Sequence, residues 1–305
     1  MSEPNPPLPY TPETLRAQLR TLILGRRIEI HPQVGSTNDL ARLAGWRGEP
    51  EGLVIAADEQ VAGRGRLGRT WVAPPGCCVL CSVLLRPRFS PQQAFYLTVI
   101  ASLAIYRACG GRGPGVGDQR SRGMSEAPGA SAADGRAPDA LADPGADAHT
   151  PDPRPTVTIK WPNDVLVRGR KVAGILSESE FDGEGWQFAV VGFGINANVQ
   201  SEQLGDLRTT ATSLSAELGR GVDRTLLLAR VLEELESLYI SLQGGQFGYV
   251  HAQWVAALET IGKRVSVAES AGTISGLAVG VDRTGALIIR LDDGSERRVL
   301  SGDVR

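Results

Sequence analysis

An α+β fold is expected from this sequence: a mixed, largely antiparallel sheet backed by helices, with a small β-barrel at the C-terminal end. Three observations carry that expectation. Residues 156–195 are dense in short strands separated by tight turns, the pattern of antiparallel hairpins. Two or three helical patterns follow this block, and others precede it. The end of the chain then switches to short strands with Asp282-Arg283-Thr284-Gly285 and Asp292-Asp293-Gly294-Ser295 turns, which suits a small barrel appended to an α+β domain.

The elements follow in chain order. After a proline-rich start, a helix is expected over 12–24, a segment too short for an independent DNA-binding domain. Arg27-Ile28-Glu29-Ile30 alternates as a strand does. Ser36-Thr37-Asn38-Asp39 offers capping side chains ahead of Leu40, Leu43 and Ala44, with Gly45 as the stop. A strand is expected over 53–57 and a buried one over 77–85. Ser90 at the cap and Pro91 in the first turn open a helix running to Gly110, apolar on most faces and therefore a core helix. Residues 110–155 are rich in Gly, Pro, Ala, Asp and Arg, and their large apolar residues are Val116, Met124 and Leu141. So little apolar surface cannot offset the entropy of ordering, and the segment is expected to be a disordered, dispensable insertion. Strands are then expected at 156–160, 164–167, 172–180 and 186–195, with turns at 168–170 and 182–185. Helices follow near 211–218, from Asp223 with Leu227, Val231, Leu235 and Leu238 on one face, and over 246–260. The expected organisation is an N-terminal segment 1–25, a principal domain 26–260 carrying the insertion, and a C-terminal domain 261–305.

Bulk properties narrow the class. The 305 residues carry a formal net charge of −2, so no global basic excess points to nucleic acid. The N-terminus lacks the basic start and apolar core of a signal peptide, and no apolar run approaches the roughly 20 residues of a membrane helix. Cys78-Val79-Leu80-Cys81 is formally a C-x-x-C, yet it lies in an apolar strand with no second pair to complete a zinc site. The cysteines are read as buried thiols, and a cytoplasmic location is expected.

The most informative stretch is Gln60-Val61-Ala62-Gly63-Arg64-Gly65-Arg66-Leu67-Gly68-Arg69-Thr70-Trp71. Glycine permits φ > 0 and close approach to a ligand, and arginine offers a planar fork matched to phosphate and carboxylate oxygens. Such a loop is suited to close over a small anion. The same glycines fit the dinucleotide fingerprint, which needs a helix at the loop and an acidic residue about 20 positions on. Pro74-Pro75-Gly76 breaks the helix, and no Asp or Glu occurs between Glu59 and Asp118, so that reading is set aside.

Two further motifs sit at strand ends. Lys160-Trp161-Pro162-Asn163-Asp164 exits a strand through a proline turn, and Arg170-Lys171-Val172-Ala173-Gly174-Ile175-Leu176 opens the next with a charged pair and an internal glycine. A tight turn between them would make Asp164 and Lys171 neighbours. Val191-Gly192-Phe193-Gly194-Ile195-Asn196-Ala197-Asn198 is an apolar strand with bare glycines ending in amides, the composition of a ligand wall. Trp71 and Trp161 suit either such a wall or the core.

Together these motifs resemble the biotin–protein ligase family, in order and spacing across roughly residues 28–200 with 110–155 set aside. The matching pieces are Ser36-Thr37-Asn38, Gln60 with the Gly63–Trp71 loop, Lys160–Asp164, Lys171–Leu176 and Gly192–Asn196. Residues 262–305 resemble that family's SH3-like C-terminal domain. The resemblance implies the catalytic fold shared with class II synthetases and a two-step reaction. Biotin and Mg-ATP give biotinyl-5′-AMP and pyrophosphate, and a lysine of a biotin carboxyl carrier domain then displaces AMP.

The resemblance also implies residue roles. Lys171 and Arg66 would be catalytic, stabilising charge where carboxylate meets α-phosphate. Ser36, Thr37, Asn38, Gln60, Gly63, Arg64, Gly65, Arg66 and Lys171 would bind biotin, the short polar groups serving its ureido ring. Arg66, Arg69, Trp71, Asn163, Asp164 and Asn196 would line the nucleotide side, with Asp164 toward Mg2+. The short stretch before residue 28 implies a monofunctional form, without the DNA-binding domain some family members carry. A homodimer joined edge to edge through sheets is left open. Two rival functions stand beside the ligase: a lipoate or octanoyl ligase or transferase of the same superfamily, and a non-catalytic biotin sensor.

Overall fold

The structure, a computed structural model, describes residues 9–71, 73–111, 155–183, 185–269 and 272–304. Most of the expected insertion thus lies outside the described residues. The principal sheet has seven strands: β1 (Arg27–Val34), β2 (Leu53–Gln60), β3 (Cys78–Leu85), β4 (Val157–Lys160), β5 (Asp164–Val167), β6 (Arg170–Asp182) and β7 (Gly185–Asn196), in the spatial order β1-β2-β3-β7-β6-β5-β4. β1 and β2 are parallel, as their connection through helix α2 (Thr37–Trp46) requires. All other neighbours are antiparallel. Two residues join β5 to β6, Arg168 at φ 48° and Gly169 at φ 76°. Positive φ at both positions is what the two-residue turn of a right-twisted hairpin demands.

Strand alternation explains why both faces of the sheet are covered. Val54 and Ala56 of β2 enter the main core, with Val79, Cys81, Val83 and Leu85 of β3. Leu53 and Ile55 point the other way, joining Leu84, Phe188 and Val190 beneath Ala41 of α2. The main core is closed by α1 (Pro12–Gln18), α3 (Phe95–Ala108), α5 (Arg224–Gln243) and α6 (Phe247–Ala257). α3 is buried along most of its length, which accounts for its apolar character on nearly every face. β3 is buried throughout. Burial pushes its Cys78 thiol up to about 12 and that of Cys109 likewise to about 12, so both are protonated apolar groups.

The C-terminal segment forms a five-stranded antiparallel sheet of β8 (Arg264–Glu269), β9 (Gly272–Val281), β10 (Leu287–Arg290), β11 (Glu296–Val299) and β12 (Asp303–Val304), in the order β11-β10-β9-β8-β12. It is fastened to the principal domain through Trp161, whose side chain is buried and whose Nε1 donates to Gly285 O at 2.9 Å. Gly285 also lies against the Phe95 ring, so closely that a Cβ would come within 2.2 Å of it. Trp161 therefore belongs to the core between the two sheets.

Several element boundaries differ from the sequence expectation. The first helix stops at Gln18, not 24, because the N–H groups of Leu22, Ile23 and Leu24 donate to the Glu236 carboxylate of α5 at 2.6, 2.7 and 2.7 Å. Ser36 occupies the cap position of α2 without a side-chain cap bond, and α2 runs through Gly45 to Trp46. Gly45 is there for close packing, since a Cβ would meet the Phe188 ring at 2.7 Å. After Ser90 a 3-10 turn, Pro91–Gln93, precedes α3. The helix placed near 211–218 is α4 (Leu214–Leu218), because Ala211 is drawn into a bridge beside Lys171. α6 ends at Ala257, where Leu258 bridges to Ile159.

Candidate functional site

A cavity of about 690 Å3 lies between the start of α2, the arginine–glycine loop, strands β5 to β7 and the C-terminal sheet. Within the loop, Gly65 N donates to Arg69 O at 2.6 Å and Trp71 N to Gly63 O at 2.9 Å. The loop thus folds back as a small hairpin around a 3-10 turn at Arg66–Gly68. Gly68 has φ 73°, a conformation that favours glycine. Gly63 is required sterically, because a Cβ would lie 2.8 Å from Trp71 O. Gly63 is buried behind the wall, whereas Gly65, Arg64, Arg66 and Arg69 line the cavity.

One end of the cavity is neutral and polar. Ser36, Thr37 and Asn38 at the start of α2 and Gln60 at the end of β2 meet there. Gln60 Oε1 accepts from Thr37 N at 2.7 Å. Asn38 Nδ2 donates to Glu178 Oε2 at 2.6 Å and Leu176 O at 3.2 Å, so both its amide protons are used inside the protein. Gly192 makes room for this amide, since a Cβ there would fall 1.9 Å from Asn38 Oδ1. Arg64 is held over this end by Asp39 at 2.6 Å and Glu178 at 3.2 Å.

The middle is formed by Trp71 and Lys171. The Trp71 indole lies on Gly174 and Gly194, where Cβ atoms would come within 3.0 and 2.5 Å of it. The glycines of the expected ligand wall therefore admit two of the protein's own side chains, Asn38 and Trp71, which in turn face the cavity. Lys171 Nζ lies 5.6 Å from the Trp71 ring centroid and 2.7 Å from Asp164 Oδ1. A register shift between Val165 and Leu166 sets Asp164 opposite Gly174 and Leu166 opposite Lys171, which leaves the two charges within reach across the hairpin. Lys171 N donates to Thr210 O at 2.8 Å, and its own O accepts from Thr212 N at 2.9 Å. The segment after β7 thus fixes the lysine at the wall.

The far end is charged. Arg66 Nη1 donates to Asn163 Oδ1 at 3.0 Å, and Asn163 Nδ2 donates to Ile175 O at 2.7 Å. Burial lowers the Arg66 pKa, opposed by the nearby Asp164 and Asp303 charges, although a guanidinium stays cationic across the physiological range. Arg69 is paired with Asp303 at 2.8 and 3.4 Å, a hydrogen bond that raises its pKa further. Asn196 is buried and donates to Thr212 O at 3.0 Å, bracing the segment that bonds to the Lys171 backbone.

Every residue to which the resemblance gives a role lines this cavity except Gly63. Sequence reading assigned no role to Lys160, which opens one of the motifs, and missed residues of the 204–211 stretch, Gly302 to Val304, and the buried Ser82 behind the wall. Ser82 had a signal, a lone hydroxyl in an apolar strand; the C-terminal residues had none. Five cationic side chains (Arg64, Arg66, Arg69, Lys160, Lys171) face two carboxylates (Asp164, Asp303) around one cavity, a balance that attracts anions. A divalent ion bound mainly through phosphate oxygens needs only one or two protein carboxylates. Asp164 fits that part, and the described residues contain no larger cluster of metal-ligating side chains.

Residues 31–196 match the model of the biotin/lipoate A/B protein ligase family, and residues 260–305 that of the biotin protein ligase C-terminal domain. The chain is 33% identical to a biotin–[acetyl-CoA-carboxylase] ligase of Mycobacterium tuberculosis over 302 residues, covering 97% of this chain and 95% of that one. It is 28% identical to a bifunctional ligase/repressor of Bacillus subtilis, covering 95% and 77%. A biotin protein ligase from Aquifex aeolicus, solved with biotin and ATP, superposes with a TM-score of 0.65 at 23% identity, covering 92% of this chain and 98% of that one. That last likeness is one of fold.

Proposed function

The chain belongs to the biotin/lipoate A/B protein ligase family, and from that premise we propose that it activates biotin as biotinyl-5′-AMP and transfers it to a lysine of a biotin carboxyl carrier domain. The observation that carries the proposal is the arrangement of one cavity: a neutral hydrogen-bonding end, a lysine at its middle and a cationic end. Thr37, Gln60 and the Asn38 carbonyl suit the ureido ring, while Lys171 and the arginines suit the two anions that must meet.

In the first step a biotin carboxylate oxygen bonds to the α-phosphorus, and the bond from that phosphorus to the leaving pyrophosphate breaks. Negative charge gathers at the phosphorus centre, where Lys171 and Arg66 stabilise it. Asp164 would hold Mg2+, which when bound supplies neutralising charge at the phosphates. Trp71, resting on two glycines, walls the cavity between its two ends. In the second step the acceptor amine attacks the biotinyl carbonyl carbon, and AMP departs as the C–O bond of the anhydride breaks. Arg64 and Arg69, tied to opposite sides of the cavity, keep the loop folded over the adenylate until then.

The test is mass spectrometry of a carrier domain incubated with the protein, Mg-ATP and either biotin or lipoate. An ATP-dependent gain of one biotinyl mass is expected. Modification by lipoate alone would assign the lipoate reading, and binding of biotin without modification of any carrier would assign the sensor. Lys171→Ala is expected to slow single-turnover adenylation by about 100-fold or more, and an unchanged rate would remove Lys171 from its role.

A further inference from the structure

The arginine–glycine hairpin is tied at its base by backbone and at its tip by side chains. At the base, Val61 N donates to Val34 O at 3.0 Å and Ala62 N to Gly35 O at 2.9 Å. Among the described residues, the backbone hydrogen bonds of Gly63 to Trp71 stay within the hairpin. Its tip is therefore held to the rest of the protein through its arginines. Arg66 and Arg69 are engaged at the charged end, with Asn163 and Asp303. Arg64 is engaged at the neutral end, where its Nη2 donates to Asp39 Oδ1 at 2.6 Å and to Glu178 Oε2 at 3.2 Å.

The same Glu178 oxygen accepts from Asn38 Nδ2 at 2.6 Å. One carboxylate oxygen thus meets both an amide of the neutral end and the guanidinium above it. Asp39 lies in the first turn of α2. A helix start carries partial positive charge, which disfavours a lone cation standing over it, and the two carboxylates reverse that balance for Arg64. Asn38 and Arg64 line the cavity, whereas Asp39 and Glu178 stand outside the lining, so the carboxylates act on a ligand through the residues they hold. One turn further along α2, Arg42 pairs with Glu180 at 2.7 Å. That pair repeats the tie between α2 and β6 and involves no loop residue.

We propose that Glu178 and Asp39 are positioning residues that latch Arg64 over the neutral end of the cavity and thereby set the rate at which bound biotin leaves. The inference rests on the biotin reading above and adds to it the two carboxylates that govern how long the ligand stays. The side chains of Arg64, Asp39 and Glu178 are 41%, 57% and 23% exposed. Pairs so exposed are screened by salt, and each changes a rate only a few-fold.

The experiment is the dissociation of labelled biotin, chased with excess unlabelled biotin, from the wild-type protein, Glu178→Gln, Asp39→Asn, the double variant and Glu180→Gln, at low and high salt. Glu178→Gln keeps an oxygen for Asn38 Nδ2 and removes the charge, and Asp39→Asn likewise keeps the shape. Each is expected to speed release by about threefold to fivefold at low salt, and the double variant by more. Salt is expected to speed release from the wild type and to change it little in the double variant, a response that a merely structural role would not produce. Glu180→Gln, which loosens α2 from β6 without freeing Arg64, is expected to release biotin at the wild-type rate. Wild-type rates in both Glu178→Gln and Asp39→Asn, or an equal acceleration in Glu180→Gln, would overturn the inference while leaving the ligase reading intact. Failure of the wild type to bind biotin would overturn both.

Discussion

At the scale of single residues, the site depends as much on what is absent as on what is present. Gly192 leaves the space that the Asn38 amide fills, and Gly194 the space under the Trp71 indole. Gly192→Ala is therefore expected to displace Asn38 and weaken biotin binding by about tenfold or more, because the displaced amide leaves Glu178 and Ser82 without their partner. Calorimetry would show this, and native affinity would mean that Asn38 is not needed where it stands. Glycine content near 192–194 was legible in the sequence as close approach, but what approaches was not. A bare backbone is the same signal whether a ligand or a side chain from a distant helix comes to rest on it.

At the scale of elements, two charged groups hold turns and ends in place. Glu236 of α5 accepts three consecutive N–H groups from residues 22–24, satisfying donors that no helix covers. Glu236→Gln loses charge-assisted acceptors and is expected to cost about 2–3 kcal/mol, measurable by urea denaturation. In the turn between β9 and β10, burial raises the Asp282 pKa, but hydrogen bonds from Thr284, Arg298 and Ala286 outweigh it and hold the carboxylate at about 2, below its ordinary 3.8. A depressed folded value stabilises above the unfolded pKa. That contribution is complete above about pH 4 and disappears as pH falls toward 2. Asp282→Asn is expected to destabilise at neutral pH and to flatten the loss of stability over this acid range, as denaturation midpoints at several pH values would show. Turn chemistry of this kind was legible at Asp282-Arg283-Thr284-Gly285. The stop at Gln18 was not, because the partner carboxylate lies more than two hundred positions away.

At the scale of the whole molecule, the C-terminal sheet completes the cavity instead of standing apart from it. Gly302, Asp303 and Val304 line the cavity, and Asp303 pairs with Arg69 of the loop. Both side chains are partly exposed, so the pair contributes only about 0–1 kcal/mol to stability. Asp303→Ala is accordingly expected to leave the denaturation midpoint almost unchanged while raising KM for ATP several-fold, since the loop arginine loses its anchor at the cationic end. An unaltered KM would confine the C-terminal sheet to a structural part.

What the sequence determined by itself was local: strand alternation, a tight turn between β5 and β6, and motifs whose glycines, arginines and amides announce a site for anions. Side-chain periodicity and backbone sterics act over a few residues, so they can be read without a fold. Only the tertiary structure decided how those motifs face one another. The register shift in β5 and β6 brings Lys171 to Asp164, the hydroxyl of buried Ser82 meets Thr37 and Asn38 at the start of α2, and the C-terminal sheet reaches back to the loop. These depend on contacts between residues far apart in the chain, and no periodicity encodes such distances.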